Sequence, residues 1–470
     1  MSLSAQSFPR RWVVVVVTGL VLCLAPLPGF SAQQQHLLAV FAATIVALIA
    51  RPVPMGVSVL LGATVLLLTG TLPPEKVLAG FGNATVLLVF SAFLFARAIT
   101  TTRLGVRIAY GFISRFGRTS LTLGYSVAFA GLVLAPVVPS DTARGGGIMA
   151  PIVRSLSQAL DSAPGPTANR IGAYLILVAF HCTYAASAMF LTGMAANPLI
   201  ASIAHNVAHV DMTWGKWALA ASVPGLCTFA FIPWLLHQLS PPDLRDTEHA
   251  RNHARSRLLH IGPMTRPEKY LVVIMLLVMA GWITAPWHGI SNTPVALGGV
   301  CVILLIDVIS WEDLLGDRAA WDALVWFALL LMMAEQLNEQ GVIDLLSRSV
   351  FTHIHGWPWP LTLAALCIAY LYAHYTFASM TAHVSALYPG FLAAALAAGV
   401  PAPIAAWPLA FFSNLNAGIT HYGTGSAPVY FGAGYVSQNQ WWTIGFIVSV
   451  VNLAIWLGVG LVWWPLIGLW

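Results

Sequence analysis

Two short polar stretches interrupt apolar sequence and share one pattern of side chains. They are Ser140-Asp141-Thr142-Ala143-Arg144 and Ser379-Met380-Thr381-Ala382-His383. Each has the form Ser-x-Thr-Ala followed by a residue that can carry positive charge. Ser and Thr hydroxyls donate hydrogen bonds to carboxylate oxygens, and a helix end inside an apolar medium offers unpaired N–H groups to the same anion. Two such stretches facing each other would hold the two ends of a dicarboxylate.

A second interruption follows each of these stretches. The segment 190–198 includes Thr192 and Gly193, and the segment 413–425 includes Thr420. Unwound backbone inside a membrane exposes carbonyl groups that can coordinate a cation or line a cavity. Two ordinary explanations stay open. The Ser and Thr hydroxyls of the first two stretches could bond to carbonyls of a kinked helix. The Gly and Pro residues of the later interruptions could be ordinary packing kinks.

Charged and ionisable side chains near these stretches set the electrostatics of the candidate site. Arg144, His383 and His421 could balance the charge of a bound dianion. Asp141 has three open roles: pairing with Arg144 to shape the turn, coupling to a proton or a sodium ion, or direct choice of the substrate. No other cofactor or metal is predicted. The candidate position for sodium is near Ser140, Asp141 and Gly193.

The elements that position these residues are membrane-spanning helices. Hydrophobic residues make up 58% of the 470 positions, charged residues only 8%, and the mean hydropathy is +0.80. A soluble domain carries about 25% charged residues. Apolar stretches of about 20 residues recur along the chain, and each is long enough to cross a lipid bilayer. A β-barrel is excluded because its strands are shorter and alternate in polarity.

About eleven crossings are predicted, together with two re-entrant hairpins in the interrupted regions 120–160 and 357–398. The crossings are placed at about 12–30, 36–50, 55–72, 84–101, 171–206, 215–237, 269–286, 293–310, 321–340, 403–434 and 441–467. If the N-terminus is cytoplasmic, all of the 21 Lys and Arg fall on the cytoplasmic side except Lys76, Lys216 and Arg348. That asymmetry is typical of inner-membrane proteins. It also explains the net charge of +5, so no nucleic-acid partner is expected.

This topology divides the chain into four parts and places the C-terminus outside. They are a first transmembrane helix (1–35), a first repeat (36–237), a basic, solvated cytoplasmic linker (238–268) and a second repeat (269–470). Each repeat holds five crossings and one hairpin. Because five is odd, the second repeat is inverted relative to the first, and inverted repeats with a site at their interface are typical of secondary transporters.

Three stretches carry a resemblance to a known family. PSDTARGGG resembles the PSNTARxGG pattern of the divalent anion/sodium symporters. HYTFASMTAHVSALYPGFLAAALAAGVP and GITHYGTGSAPVYFGAGYV resemble the branch that exchanges 2-oxoglutarate, malate, citrate and succinate. The resemblance runs from about residue 36 to the end. It implies a homodimeric elevator transporter of di- or tricarboxylates, with the Ser and Thr residues of both hairpin tips as ligands.

Two positions depart from the sodium-coupled members of that family, in which each tip reads Ser-Asn-Thr. Asp141 and Met380 stand where those members have Asn, and this pattern resembles the sodium-independent exchangers. The sequence therefore predicts an anion exchanger in a bacterial inner membrane, with a sodium- or proton-coupled symporter as the alternative. An enzyme is disfavoured because HExxH, GxSxG and P-loop patterns do not occur. A channel is a remote alternative.

Overall fold

The computed structural model describes residues 8–342, 345 and 357–470, and within that part every regular element is a helix. The first half contains α1 (Phe8–Leu24), α2 (Ala32–Ala50), α3 (Met55–Leu68), α4 (Pro74–Leu78), α5 (Ala84–Thr101), α6 (Leu104–Phe116), α7 (Ser120–Leu134), α8 (Ala150–Ala159), α9 (Gly172–Met189), α10 (Asn197–Ala208) and α11 (Trp214–Leu239). The second half contains α12 (Glu248–Ile261), α13 (Arg266–His288), α14 (Asn292–Leu305), α15 (Trp311–Leu315), α16 (Arg318–Glu339), α17 (Trp359–Ala373), α18 (Met380–Ala397), α19 (Ala402–Leu415), α20 (Ala427–Phe431) and α21 (Gln438–Leu466).

Eight of the described helices are long and apolar enough to cross a membrane, and four shorter ones are also apolar. The eight are α2, α5, α9, α11, α13, α16, α18 and α21. The prediction of a polytopic helical membrane protein is therefore confirmed. The count of eleven crossings stays a prediction, and Arg348, which was assigned to the outer side, lies outside the described residues.

The predicted spans 171–206 and 403–434 each consist of two helices with irregular backbone between them. A single 3-10 turn, Leu191–Gly193, lies between α9 and α10, and another, Asn416–Ile419, follows α19. Pro198 and Pro428 stand in the first turns of the helices that resume, where the absent N–H group removes no helical hydrogen bond. We call residues 190–196 the first break and residues 416–426 the second break. Both leave irregular backbone in the interior of the molecule.

Both predicted re-entrant regions are likewise pairs of helices with a polar interruption. We call them hairpin 1 (residues 120–159, α7 and α8) and hairpin 2 (residues 359–397, α17 and α18). In hairpin 1 the chain passes through residues 135–141 into a π-helical turn, Thr142–Met149, before α8. Gly145 in that turn lies against α9, and a Cβ atom there would come within 2.8 Å of the Thr183 methyl group. Re-entry on the same membrane side stays a prediction.

The basic linker contains a helix that the sequence analysis did not place. Ala250 and Ala254 of α12 are fully buried, and α12 packs along α6, which was also left unassigned. Thr247 Oγ1 donates to the carbonyl of Gly117 at 3.0 Å, and Arg251 Nε donates to the carbonyl of Ser114 at 3.0 Å. The linker is therefore fastened to the chain just before hairpin 1.

The helices form two packed groups. In one group α2 packs on α3, and α16 packs on both α3 and α5. In the other, α9 packs on α7, α11 and α19, and α18 packs on α10 and α19. The first group we call the scaffold group and the second, which holds both hairpins, the hairpin group. The candidate functional site lies where these two groups meet.

Candidate functional site

The tips of the two hairpins meet in one cavity of about 230 Å³. Six predicted site residues line it: Ser140, Asp141, Thr142, Ser379, Met380 and Thr381. The breaks contribute Met194, Ala195, Thr424 and Gly425, and the scaffold group contributes Arg51, Phe93 and Trp326. The structure thus brings together two stretches that are far apart in the sequence, and it faces them with side chains of the scaffold group.

The serines and threonines of the tips are placed differently. Ser140 Oγ accepts a hydrogen bond from the N–H of Ala143 at 3.1 Å, and Ser379 Oγ accepts one from Ala382 at 3.3 Å. Ser379 is therefore the N-cap of α18. The hydroxyls of Thr142 and Thr381 make no hydrogen bond to any other described residue, so they remain available to donate to a ligand in the cavity.

The carboxyl group of Asp141 joins hairpin 1 to the second break. Its Oδ2 atom accepts hydrogen bonds from Thr424 Oγ1 at 2.7 Å and from Ser426 Oγ at 2.6 Å. Within the described residues no cation lies within ion-pair distance of this carboxyl group, so the pair with Arg144, one of the three roles left open for Asp141, does not form. Its Oδ1 atom is buried and has no hydrogen-bond partner in the same set. The sequence analysis did not identify Thr424 and Ser426 as partners of Asp141.

Arg144 is fully buried and lies behind the cavity rather than in its lining. Its guanidinium donates to the carbonyl of Val138 at 2.6 Å and to those of Thr183 and Gly193, both at 3.1 Å. A further bond goes to Ser187 Oγ. The side chain therefore fixes the end of α9 and the first break to the tip of hairpin 1.

This arrangement predicts a large loss of stability on replacement of Arg144. Arg144→Ala would leave buried carbonyl groups unpaired and open a cavity, which costs about 3 kcal/mol or more. Lys cannot reproduce the planar fork of donors, so Arg144→Lys should also be destabilised. Thermal unfolding of the purified variants in detergent measures this loss of stability. Arg154→Ala, an exposed arginine of the same hairpin, is the control; equal unfolding temperatures for both variants would contradict the assignment.

Thr192 and Gly193 also brace the first break. Thr192 Oγ1 donates to the carbonyl of Pro136 and accepts from Trp214 Nε1 at 3.0 Å. The carbonyl of Gly193 is occupied by Arg144. Neither residue lines the cavity, and their roles as ligands stay predictions.

The two predicted histidines and Thr420 lie away from the cavity lining. His383 is fully buried, and its ring packs edge-on against Tyr370 and His374, with centroid distances of 4.4 Å and 4.9 Å. His421 Nδ1 accepts a hydrogen bond from Trp442 Nε1 at 2.9 Å. Thr420 is buried, and its hydroxyl has no partner among the described residues. None of these side chains lines the cavity between the tips, and their roles at the site stay predictions.

Arg51 supplies the positive charge that faces the cavity. Among the described residues of the lining it is the only Lys, Arg or His. It ends α2 in a left-handed backbone conformation with φ of 51°, and its Nη2 atom donates to the carbonyl of Ala378, at the tip of hairpin 2, at 2.6 Å. The sequence analysis counted Arg51 only as a cytoplasmic loop charge, since no local pattern connects it with residue 378.

The residues proposed for sodium do not form a matching set of ligands. Asp141 Oδ1 is the one unpaired oxygen among them, whereas the carbonyl of Gly193 faces the guanidinium of Arg144, whose charge opposes a cation there. Ser140 Oγ already accepts a backbone N–H. In the described part of the chain there is also no cluster of three or more His, Cys, Asp or Glu that could hold a metal.

Comparison with known proteins agrees with this architecture. The family described as "Sodium:sulfate symporter transmembrane region" matches residues 6–470. The chain is 45% identical to the "Putative malate transporter YflS" of Bacillus subtilis, over 97% of this chain and 96% of that one. It is 42% identical to the chloroplastic Dicarboxylate transporter 1 of Arabidopsis thaliana, over 97% of this chain and 82% of that one.

Two further comparisons concern a bacterial relative and a solved structure. The chain is 32% identical to the inner membrane protein YbhI of Escherichia coli, over 97% of this chain and 98% of that one. The crystal structure of the Alcanivorax borkumensis YdaH transporter aligns with a TM-score of 0.57 at 16% identity, over 98% of both chains, and supports the fold alone. The chain is therefore a membrane transporter rather than an enzyme, and it belongs to the sodium:sulfate symporter transmembrane family.

Proposed function

We propose that this transporter exchanges small dicarboxylate anions across a bacterial inner membrane. The observation that carries the proposal is the meeting of the two hairpin tips, with the unpaired hydroxyls of Thr142 and Thr381, in one cavity that also contains Arg51. Two groups of donors, one from each tip, around a small cavity suit an anion with a carboxylate at each end. The names of the Bacillus and Arabidopsis relatives support the same class of substrate.

Each end of the substrate is held by one tip. Thr142 donates to one carboxylate and Thr381 to the other, while Ser140 and Ser379 keep each tip in shape through their bonds to backbone N–H groups. Hydrogen bonds to a charged acceptor are about twice as strong as those between neutral groups. Arg51 adds a full positive charge, and the hydrogen bonds from Thr424 and Ser426 hold the carboxyl group of Asp141 against the second break.

The contact between Arg51 and hairpin 2 gives a physical reason for exchange. The guanidinium binds the carbonyl of Ala378 and so ties the hairpin group to the scaffold group. A bound carboxylate competes for that guanidinium and releases the tie. The loaded hairpin group then moves against the scaffold group, as in an elevator, whereas the empty one is held. We place the N-terminus in the cytoplasm and the C-terminus outside, and we expect a homodimer as in the family.

Replacing Asp141 by Asn separates exchange from ion-coupled symport. The amide oxygen can accept the hydrogen bonds from Thr424 and Ser426, so Asp141→Asn should keep exchange activity and its independence of sodium and pH. Asp141→Ala should lose most of the activity because hairpin 1 is then detached from the second break. Uptake by both variants is measured across sodium concentrations and pH values. A sodium or proton dependence that differs between wild type and Asp141→Asn would instead assign a coupling role to the carboxylate.

Uptake into proteoliposomes tests the proposed function as a whole. Labelled succinate or malate is added outside, and internal dicarboxylate and the sodium gradient are varied independently. We expect uptake only into vesicles that contain a dicarboxylate, with or without sodium. Uptake into empty vesicles that follows a sodium gradient would favour symport. Failure to transport any carboxylate would overturn the substrate class.

A further inference from the structure

A second, larger cavity of about 410 Å³ lies away from the transport site, between α6, α12 and the second arm of hairpin 1. Helix α6 contributes Val106 and Tyr110, with Arg103 just before it, and α12 contributes Arg257, His260 and Ile261. Hairpin 1 contributes Gly147, Ile148, Pro151, Ile152 and Ser155. One cavity therefore joins the linker helix to the element that carries the first tip.

The charge of this second cavity has one sign. Arg103, Arg257 and His260 are exposed, and none forms an ion pair with another described residue. The lining contains no Asp or Glu. Two other arginines of the same helices do have carboxylate partners, Arg107 with Glu268 at 2.7 Å and Arg251 with Glu248 at 2.9 Å. The two arginines that line the cavity therefore have no carboxylate partner within the described part of the chain.

A contact between a serine and a histidine lies on the same wall of the cavity, close to Arg257. Ser155 Oγ lies 3.1 Å from His253 Nε2 of α12. Partial burial, and then the charge of Arg257, lower the pKa of His253 from its ordinary value. An unpaired guanidinium beside an imidazole and a hydroxyl is suited to bind an anion with several acceptor oxygens.

We propose that this cavity binds a phosphate group through Arg103 and Arg257, and that the bound anion bridges α6, α12 and hairpin 1. A phospholipid headgroup and a free phosphate share this chemistry. Leu259 of α12 and Phe116 of α6 are 82% and 54% exposed, so apolar side chains lie on the outer surface of the same two helices. The apolar walls formed by Ile148 and Ile152 would cover the phosphate on its hairpin side.

Binding to the purified, full-length protein tests this inference independently of transport. The probes are nanodiscs of phosphatidylcholine with and without phosphatidylglycerol, and inorganic phosphate in solution, with native mass spectrometry and thermal unfolding as readouts. We expect Arg103→Gln/Arg257→Gln to weaken binding of phosphatidylglycerol or inorganic phosphate, whichever the wild type binds, by about tenfold or more. Arg115→Gln/Arg255→Gln, which removes the same charge from the same helices outside the cavity, should bind as the wild type does.

The outcomes separate the source of the phosphate from the existence of the site. Stabilisation by phosphatidylglycerol that inorganic phosphate does not displace indicates a lipid headgroup, and saturable binding of inorganic phosphate indicates a soluble anion. Arg103→Lys/Arg257→Lys should restore part of the affinity in either case. Equal binding by both Gln double variants, or no saturable binding of any probe, would overturn the proposal even if dicarboxylate exchange is intact.

Discussion

Thr142→Val and Thr381→Val are each expected to reduce dicarboxylate uptake about tenfold or more, and the double variant should show no measurable exchange. Valine keeps the shape of threonine but removes the hydroxyl. A hydrogen bond to a charged acceptor contributes about 1.5–3 kcal/mol, which corresponds to a factor of about 10 to 100 in affinity. Because neither hydroxyl has a partner among the described residues, its removal leaves no protein group unpaired, and folding should be unchanged.

Uptake at several substrate concentrations measures this effect, with thermal unfolding as a check of folding. Thr376→Val is the matched control: it lies in hairpin 2, but its hydroxyl donates to the carbonyl of Ala373 at 2.8 Å and it does not line the cavity. The control should transport as the wild type does. If Thr142→Val and Thr381→Val did the same, the hydroxyls would not be ligands. The serines are poorer tests, because Ser379→Ala also removes a helix cap that contributes about 1 kcal/mol.

Arg51→Gln should weaken dicarboxylate binding and, at the same time, uncouple exchange. The first effect follows from loss of a charged hydrogen bond to the substrate, about 10- to 100-fold in affinity. The second follows because the tie from Arg51 to Ala378 no longer holds the empty hairpin group. If Arg51 binds the second carboxylate of the substrate, Arg51→Gln should change the affinity for a monocarboxylate of the same chain length less than the affinity for the dicarboxylate.

Efflux from loaded vesicles into buffer without dicarboxylate measures the uncoupling. The wild type should retain its contents until external dicarboxylate is added, whereas Arg51→Gln should release them at once. Arg118→Gln, an exposed arginine outside the cavity, controls for the change in total charge. Tight coupling and unchanged affinity in Arg51→Gln would show that its contact with Ala378 is incidental.

Local sequence patterns were sufficient for the elements that carry the tips. Pro139 and the Gly-rich stretch after Arg144 interrupt one apolar region, and Ser379 begins a helix by capping it, so both tips could be located from neighbouring residues alone. The bounds of α5 also match the predicted span 84–101. These features depend on backbone preferences within a few residues, which sequence reports directly.

Contacts across the fold could not be predicted in the same way. The partners of Asp141, Thr424 and Ser426, are 283 and 285 residues away in the sequence, and the carbonyl bound by Arg51 is 327 residues away. From the sequence alone, Arg144 is a candidate to balance the charge of the substrate. The structure instead surrounds it with backbone carbonyls behind the cavity. Each of these assignments depends on how the two helix groups pack, which no local pattern specifies.

The most direct test of the central claim is a cryo-electron microscopy structure of the protein with saturating succinate. We predict that density for the ligand lies between the tips, with one carboxylate within hydrogen-bonding distance of Thr142 and the other near Thr381. Arg51 should then have moved from the carbonyl of Ala378 to the ligand. Density for succinate elsewhere, or an unchanged contact between Arg51 and Ala378 with the ligand bound, would contradict the account.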